Sequence, residues 1–329
     1  MLTYYGAGGM SMLKKIGLVL LVMLVLLLVL PAIIVKSCSG KIFPNVKVDP
    51  YEVAVWNHKT QELTTMPLGE YLGGVVAAEM PVQFHIEALK AQAVVARTYT
   101  IAKMRANGKG GCDRHPEADI CTDHTHCQAW TSREDAVGNW PFFRQRSYWS
   151  KIIRAVSETQ DKVITYQGKL IDAVYHSTCG GSTENSEEVW SNQVSYLRSV
   201  QCDFCSSSPR YTETVQLSAA QVAEKLGVPS GDLKINVLER TASGRIIKVN
   251  TGKEVIRGLE FRRRLGLRSS KVSWLQEEKD YSFTTVGYGH AVGMCQYGAD
   301  GMARQGYTYP EIVDKYYTGV QVTTVQIGE

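Results

Sequence analysis

After Pro67, the apolar residues Leu68, Leu72, Val75 and Val76 recur at helical spacing, and Pro81 stops the run. The pattern predicts a helix from about Pro67 to the residue before the second proline. A proline suits the first helical position, where its missing N–H has no partner to lose. A second helix is predicted from about Ile86 to Arg105, closed by Asn107-Gly108. Short alternating runs predict a first strand at Glu52 to Trp56. They also predict a hairpin of Val163 to Tyr166 and Leu170 to His176 around Gln167-Gly168, preceded by a helix over Ser147 to Thr159. From Tyr211 to Trp274 the texture changes. One helical stretch near Ser218 to Leu226 is followed by strand-like runs, Lys234 to Glu239 and Arg245 to Asn250, about the turn Ser243-Gly244. Residues 211–274 are therefore expected to form a β-rich subdomain inserted in a larger fold, with Glu260 to Leu265 as a solvated helix face. The fold class is α+β.

Ahead of this lies a run of another kind. The 20 residues from Ile16 to Val35 carry no charge, enough to cross a hydrocarbon core of ~30 Å. Lys14 and Lys15 precede it, which favours an N-terminus on the cytoplasmic side. The run is too long for a typical signal-peptide core and no A-x-A cleavage site follows, so a retained anchor is expected. That divides the chain into a cytoplasmic segment 1–15, a single transmembrane helix 16–35, a linker 36–50 and an extracytoplasmic domain 51–329. Hydrophobic residues make up 44% of the 329, enough for a sizeable core. Lys and Arg (36) nearly balance Asp and Glu (32) with no basic stripe, which argues against nucleic acid.

Candidate chemistry collects at four places. Glu79 falls in the last turn of the first predicted helix, among Val75, Val76, Ala77, Ala78 and Met80. Apolar neighbours and the negative end of the helix dipole both disfavour its charged form and raise its pKa. That is what a general acid working near neutrality requires; the plainer alternative is an exposed Glu at a frayed helix end. The loop from Gly108 to Trp130 supplies His115, Cys121, His126 and Cys127, with Cys112 and His124 close by. Two imidazoles and two thiols match what tetrahedral Zn²⁺ accepts, and a Cys121–Cys127 disulfide with bystander histidines is the competing reading. Cys202 and Cys205 form a C-x-x-C, suited to metal, to redox pairing or to a loop clip. Two glycine-dense turns complete the set. In His176 to Gly181, Gly180 and Gly181 would let backbone approach a ligand closely, while Ser177 and Cys179 lack the setting of an elbow nucleophile. In Gly287 to Gln296, the glycines present His290 and several N–H groups without any dinucleotide fingerprint. Sugar hydroxyls or an oxyanion are fitting partners there.

Taken together, YLGGVVAAEMP with ALKAQAVVARTYT, HSTCGGSTENSEEVW with YLRSV, and GHAVGMCQYGADGMARQG with the terminal YYTGV resemble the stage II sporulation protein D family. The resembling segments span about Pro67 to Val320. The family comprises membrane-anchored peptidoglycan lytic transglycosylases of endospore-forming bacteria. The resemblance implies that Glu79 is the catalytic acid/base and that the turns carrying Ser177, Cys179, His290 and Gln296 line the substrate site. It implies cleavage of the MurNAc–GlcNAc bond of peptide-free glycan strands, leaving a 1,6-anhydroMurNAc end, during engulfment of the forespore. The partners it implies are stage II sporulation proteins P and M, and the location is the space between mother cell and forespore membranes. Some clostridial members carry zinc in the loop after the second helix, which His115, Cys121, His126 and Cys127 resemble. Two positions depart from the family's usual residues: Ala291 stands for Gly and Cys295 for Ser. The competing functions are a zinc-dependent amidase or peptidase, a non-catalytic glycan-binding scaffold, and a hydrolytic glycosidase drawing a second carboxylate from Glu184, Glu187 or Glu188.

Overall fold

The computed structural model describes residues 12–29, 51–278 and 280–325. The chain divides into two compact units, Met1–Val46 and Lys47–Glu329. In the first, helix α1 (Met12–Leu24) continues as a π-helical stretch, Val25–Val29. Among the described residues no helix is long and apolar enough to cross a membrane. Residues 30–35 of the span expected at 16–35 lie outside them.

The second unit begins with a hairpin, β1 (Glu52–Asn57) with β2 (Glu62–Pro67), that feeds directly into α2 (Leu68–Glu79). The break at Pro81 leads to α3 (Ile86–Lys103), the centre of the fold. Its residues from Leu89 to Ile101 are buried on nearly every face, as expected of a helix with neighbours all round. Strand β3 (Ile120–Cys121) runs parallel to β1, then α4 (Arg133–Gly138) and α5 (Gln145–Ser157) lead to β4 (Lys162–Tyr166) and β5 (Lys169–Leu170). The fully buried Arg97 of α3 donates to the carbonyls of Val156 (3.1 Å) and Thr159 (2.7 Å), satisfying orphan acceptors where α5 ends.

The predicted hairpin is shorter than its pattern. Only Thr165–Leu170 and Tyr166–Lys169 pair. The end of the run, β6 (Tyr175–His176), leaves to pair in parallel with Met294–Cys295. After α6 (Ser186–Trp190) the chain enters a region with its own core: β7 (Thr212–Ser218), α7 (Ala219–Leu226), β8 (Asn236–Arg240), β9 (Ile246–Asn250), β10 (Val255–Arg257), α8 (Gly258–Leu265), β11 (Val272–Glu277) and β12 (Asp280–Val286). Strand β12 lies between β7 and β11, so that core runs past Trp274 to Tyr281 and Phe283. Helix α8 is more than a solvated face. It buries Phe261 and Leu265, while Arg263 and Arg264 pair with Glu260 outside. Strand β13 (Met294–Cys295), α9 (Gln296–Arg304), α10 (Tyr309–Tyr316) and β14 (Gln321–Thr324) return to the main core, where α9 and α10 pack on α3 and β14 pairs with β4.

Candidate active site

Glu79 is the last residue of α2 and is half-buried. Its Oε1 accepts from Ala129 N at 2.9 Å, and its Oε2 is 3.5 Å from the donor Gln296 Nε2. The Tyr175 hydroxyl completes the set. Burial raises the Glu79 pKa above the ordinary carboxylate value, and the bonds from Ala129, Tyr175 and Gln296 oppose that rise. The carboxyl is thus neither frayed nor free. It is held at the meeting point of α2, the end of the Cys/His loop, and the β6–β13 pair.

Behind it lies a polar network that periodicity does not reveal. Tyr175 Oη also lies 3.2 Å from Gln128 Oε1, so its one proton serves either that oxygen or Glu79, and the Gln128 amide donates to Tyr71 Oη (3.4 Å) and Thr100 Oγ1 (3.1 Å). Gln296 also donates to the fully buried Gln92 of α3 (3.3 Å). Gln92 interrupts an otherwise small and apolar run, AQAVVA, and an amide in that setting is the one sequence signal that could have pointed here, although it is not among the candidates read from the sequence above.

The two glycine turns are zipped to each other, with Thr178 N donating to Tyr288 O (3.0 Å) and Tyr288 N to Thr178 O (2.7 Å). A Cβ on Gly180 would meet Val286 and Gly287, and one on Gly287 would meet the backbone of Thr178 and Cys179. These glycines therefore serve the approach of turn to turn rather than of turn to ligand. For that reason Cys179 is not presented to substrate: it is fully buried, with Cys205 Sγ 3.4 Å from its own sulfur. Gln296 is also buried and points at Glu79. Ser177 is half-buried, its carbonyl accepting from Tyr297 N (3.1 Å). His290 is half-buried, its Nδ1 accepting from Val292 N (3.1 Å) and its ring centre 5.0 Å from that of the exposed Trp190. Burial, with Arg262 adding to it, pushes the His290 pKa down to about 4, so the ring is neutral at neutral pH.

In the Cys/His loop the four groups that come together are Cys112, Cys121, His126 and Cys127. His115 is not among them. A tight turn, His115 N to Cys112 O at 3.1 Å, directs Cys112 inward, and the His115 ring stacks on Trp56 at 4.6 Å. His126 Nδ1 lies 3.6, 3.4 and 3.4 Å from the sulfurs of Cys112, Cys121 and Cys127. A tetrahedral zinc with bonds of ~2.0 Å to nitrogen and ~2.3 Å to sulfur has edges of about that length. The set fits a metal ion.

The other acids are engaged. Glu184 is buried in a pair with Arg245 Nη1 (2.6 Å) and also accepts from Thr241 and Ser243. Glu187 pairs with Arg198, which holds its pKa down to about 2, and Glu188 caps α6 through Asn185 N.

Residues 56–166 match the family described as stage II sporulation protein. The chain is 36% identical over 282 residues to stage II sporulation protein D of Bacillus amyloliquefaciens, covering 85% of this chain and 81% of that one. Identity and coverage are the same for stage II sporulation protein D of Bacillus subtilis strain 168. The amidase enhancer of Bacillus subtilis strain 168 is 30% identical over 309 residues, 77% of this chain and 40% of that protein.

Proposed function

The chain belongs to the stage II sporulation protein D family, and from that membership we propose that it is a sporulation enzyme of the cell wall, a lytic transglycosylase acting on peptide-free glycan strands. The observation that carries the reading is the Glu79 carboxyl, raised in pKa by burial and gripped by Ala129 N, Gln296 and Tyr175. Protonated Glu79 gives its proton to the glycosidic oxygen of the MurNAc–GlcNAc bond. The resulting carboxylate then takes the proton of the sugar's own C6 hydroxyl, whose oxygen closes onto C1 to leave the 1,6-anhydro end. A nucleophile within the same ring has proximity built in. One carboxyl therefore suffices, whereas hydrolysis by a pair of acids needs a second facing the bond. The engagement of Glu184, Glu187 and Glu188 in other contacts favours the single-acid route. His290, Ser177 and the exposed ring of Trp190 are the surface offered to the sugar.

The donor set Cys112, Cys121, His126 and Cys127 would hold Zn²⁺ in a closed shell, with no position left for a reacting water. Its use is then structural: it orders the loop that delivers Ala129 N to Glu79. This weighs against a zinc-dependent amidase or peptidase. On this reading the domain works outside the cytoplasm, anchored by residues 16–35, between mother cell and forespore, with stage II sporulation proteins P and M as partners. The test is cleavage of peptide-free glycan strands by wild type, by Glu79→Gln and by chelator-treated wild type. Loss with Glu79→Gln supports the reading. Activity that survives Glu79→Gln but is lost with the metal overturns it.

A further inference from the structure

We propose that Cys179, Cys202, Cys205 and Cys295 form a second metal site, a buried four-thiolate zinc centre that fastens the two glycine turns together. Their sulfurs all lie within 4.8 Å of one another, and all four residues are buried. They come from three separate stretches: the turn after β6, the C-x-x-C loop, and the residue that opens α9. A zinc ion with Zn–S bonds of ~2.3 Å separates its thiolates by about 3.8 Å, the scale of this cage. A cubane iron–sulfur cluster places its cysteines around a box of iron and sulfide and needs a wider one. Disulfides would draw the sulfurs into two bonded pairs of ~2.05 Å, whereas here Cys179 and Cys205 are 3.4 Å apart and the four are mutually close.

The surroundings suit thiolates. Cys295 Sγ accepts from Cys179 N and Gly298 N, both at 3.3 Å, and the Tyr316 hydroxyl lies 3.2 Å from Cys202 Sγ. Such bonds fix ligand orientation and spread the charge. Two cations stand against the same backbone: Arg245 Nη2 donates to Cys179 O, and Lys271 Nζ to Gly180 O (3.0 Å). Gly298 is required beside the cage, because a Cβ there would strike Tyr316 Oη and Cys202 Sγ. Cys295 is the N-cap of α9, a position where Ser, Thr, Asp or Asn is the usual choice. A thiol is a weak cap, and its presence there is explained by the fourth ligand it supplies. Binding Zn²⁺ converts the thiols to thiolates, their protons passing to solvent.

The proposal does not depend on the glycan reaction, and neither does its test. The full chain is purified with thiols protected during lysis, and zinc per chain is measured by elemental analysis and native mass spectrometry. Two equivalents are expected for wild type. One is expected for Cys121→Ser, which disables the loop site, and one for Cys202→Ser with Cys205→Ser. In Cys121→Ser, alkylation mapping should find Cys179, Cys202, Cys205 and Cys295 protected until a chelator and denaturant are added. Cys121→Ser that folds but carries no metal overturns the proposal whatever its thiol reactivity, since burial alone can shield these four, as does a mass deficit locating disulfides among them. Should Cys121→Ser not fold, wild type decides: one equivalent that is kept when Cys202→Ser and Cys205→Ser are both introduced is equally contrary.

Discussion

The N–H of Ala129 sits 2.9 Å from Glu79 Oε1, joining the end of α2 to a segment 50 residues further on. What allows this is Gly74, earlier in α2. A Cβ there would run into Trp130 Nε1 and Thr131 O, so only glycine lets the segment lie against the helix. Gly73 is different, since its added Cβ would meet the end of the Ile153 side chain at 3.2 Å, which can give way.

Gly74→Ala is therefore expected to cost about 1–3 kcal/mol, the usual range for overpacking. It should also raise the Glu79 pKa further, through loss of the Ala129 bond. Gly73→Ala should leave that pKa where it is. Urea unfolding and the pH dependence of glycan cleavage check both.

The raised Glu79 pKa fixes the sign of two pH effects. Between the ordinary glutamate value and the raised one, the folded chain holds more protons than the unfolded chain. Stability from this group is therefore lost as pH rises through that interval. Glu79→Gln removes the effect, so its stability relative to wild type should increase from acid to neutral pH, in unfolding measured across that range. Cleavage should fall as pH rises through the raised pKa, because the donor must be protonated. His290, held near 4 by burial, should add no limb between pH 5 and 8.

Ala291 has φ of +66°, a left-handed conformation that suits glycine. Ala291→Gly is expected to stabilise the chain by about 1 kcal/mol, since an L side chain at positive φ carries strain of that order. A midpoint in urea that does not rise would contradict it.

Arg245 and Glu184 form a pair in which each side chain is only 2% exposed. Arg245→Met strands the Glu184 charge in the interior and should cost about 3–5 kcal/mol, the usual penalty for breaking a buried pair from one side. Replacing both residues by apolar ones should recover part of that loss in the same urea titration.

The elements legible in the sequence are those set by local pattern. Apolar periodicity and Pro81 were enough to outline α2 and α3, and the apolar setting of Glu79 pointed to its raised pKa. The outer ends differ, because Pro67 closes β2 and caps α2 rather than opening it, and α3 stops at Lys103, leaving Gly108 to close the 3₁₀ turn Arg105–Asn107. The partners of that carboxyl were not legible, because they arrive from far along the chain; Gln296 is 217 positions away. The choice of Cys112 over His115 depends on a turn that sends one side chain inward and the other onto Trp56, which spacing alone does not decide. The end of the predicted hairpin failed for the same reason: Tyr175 and His176 take a partner strand more than 100 residues later instead of the neighbour the turn offered. The departures at Ala291 and Cys295 were visible as residues, but their consequences, backbone strain and a place among four thiols, needed the fold.

The most direct measurement is the mass of the fragments released from peptide-free glycan strands by wild type and by Glu79→Gln. The expected result is ends lighter by one water from wild type, the mark of the 1,6-anhydro ring, and a loss of roughly 10²-fold or more in rate with Glu79→Gln. Fragments carrying an added water, or the same anhydro ends formed at an undiminished rate without the Glu79 carboxyl, would contradict the assignment.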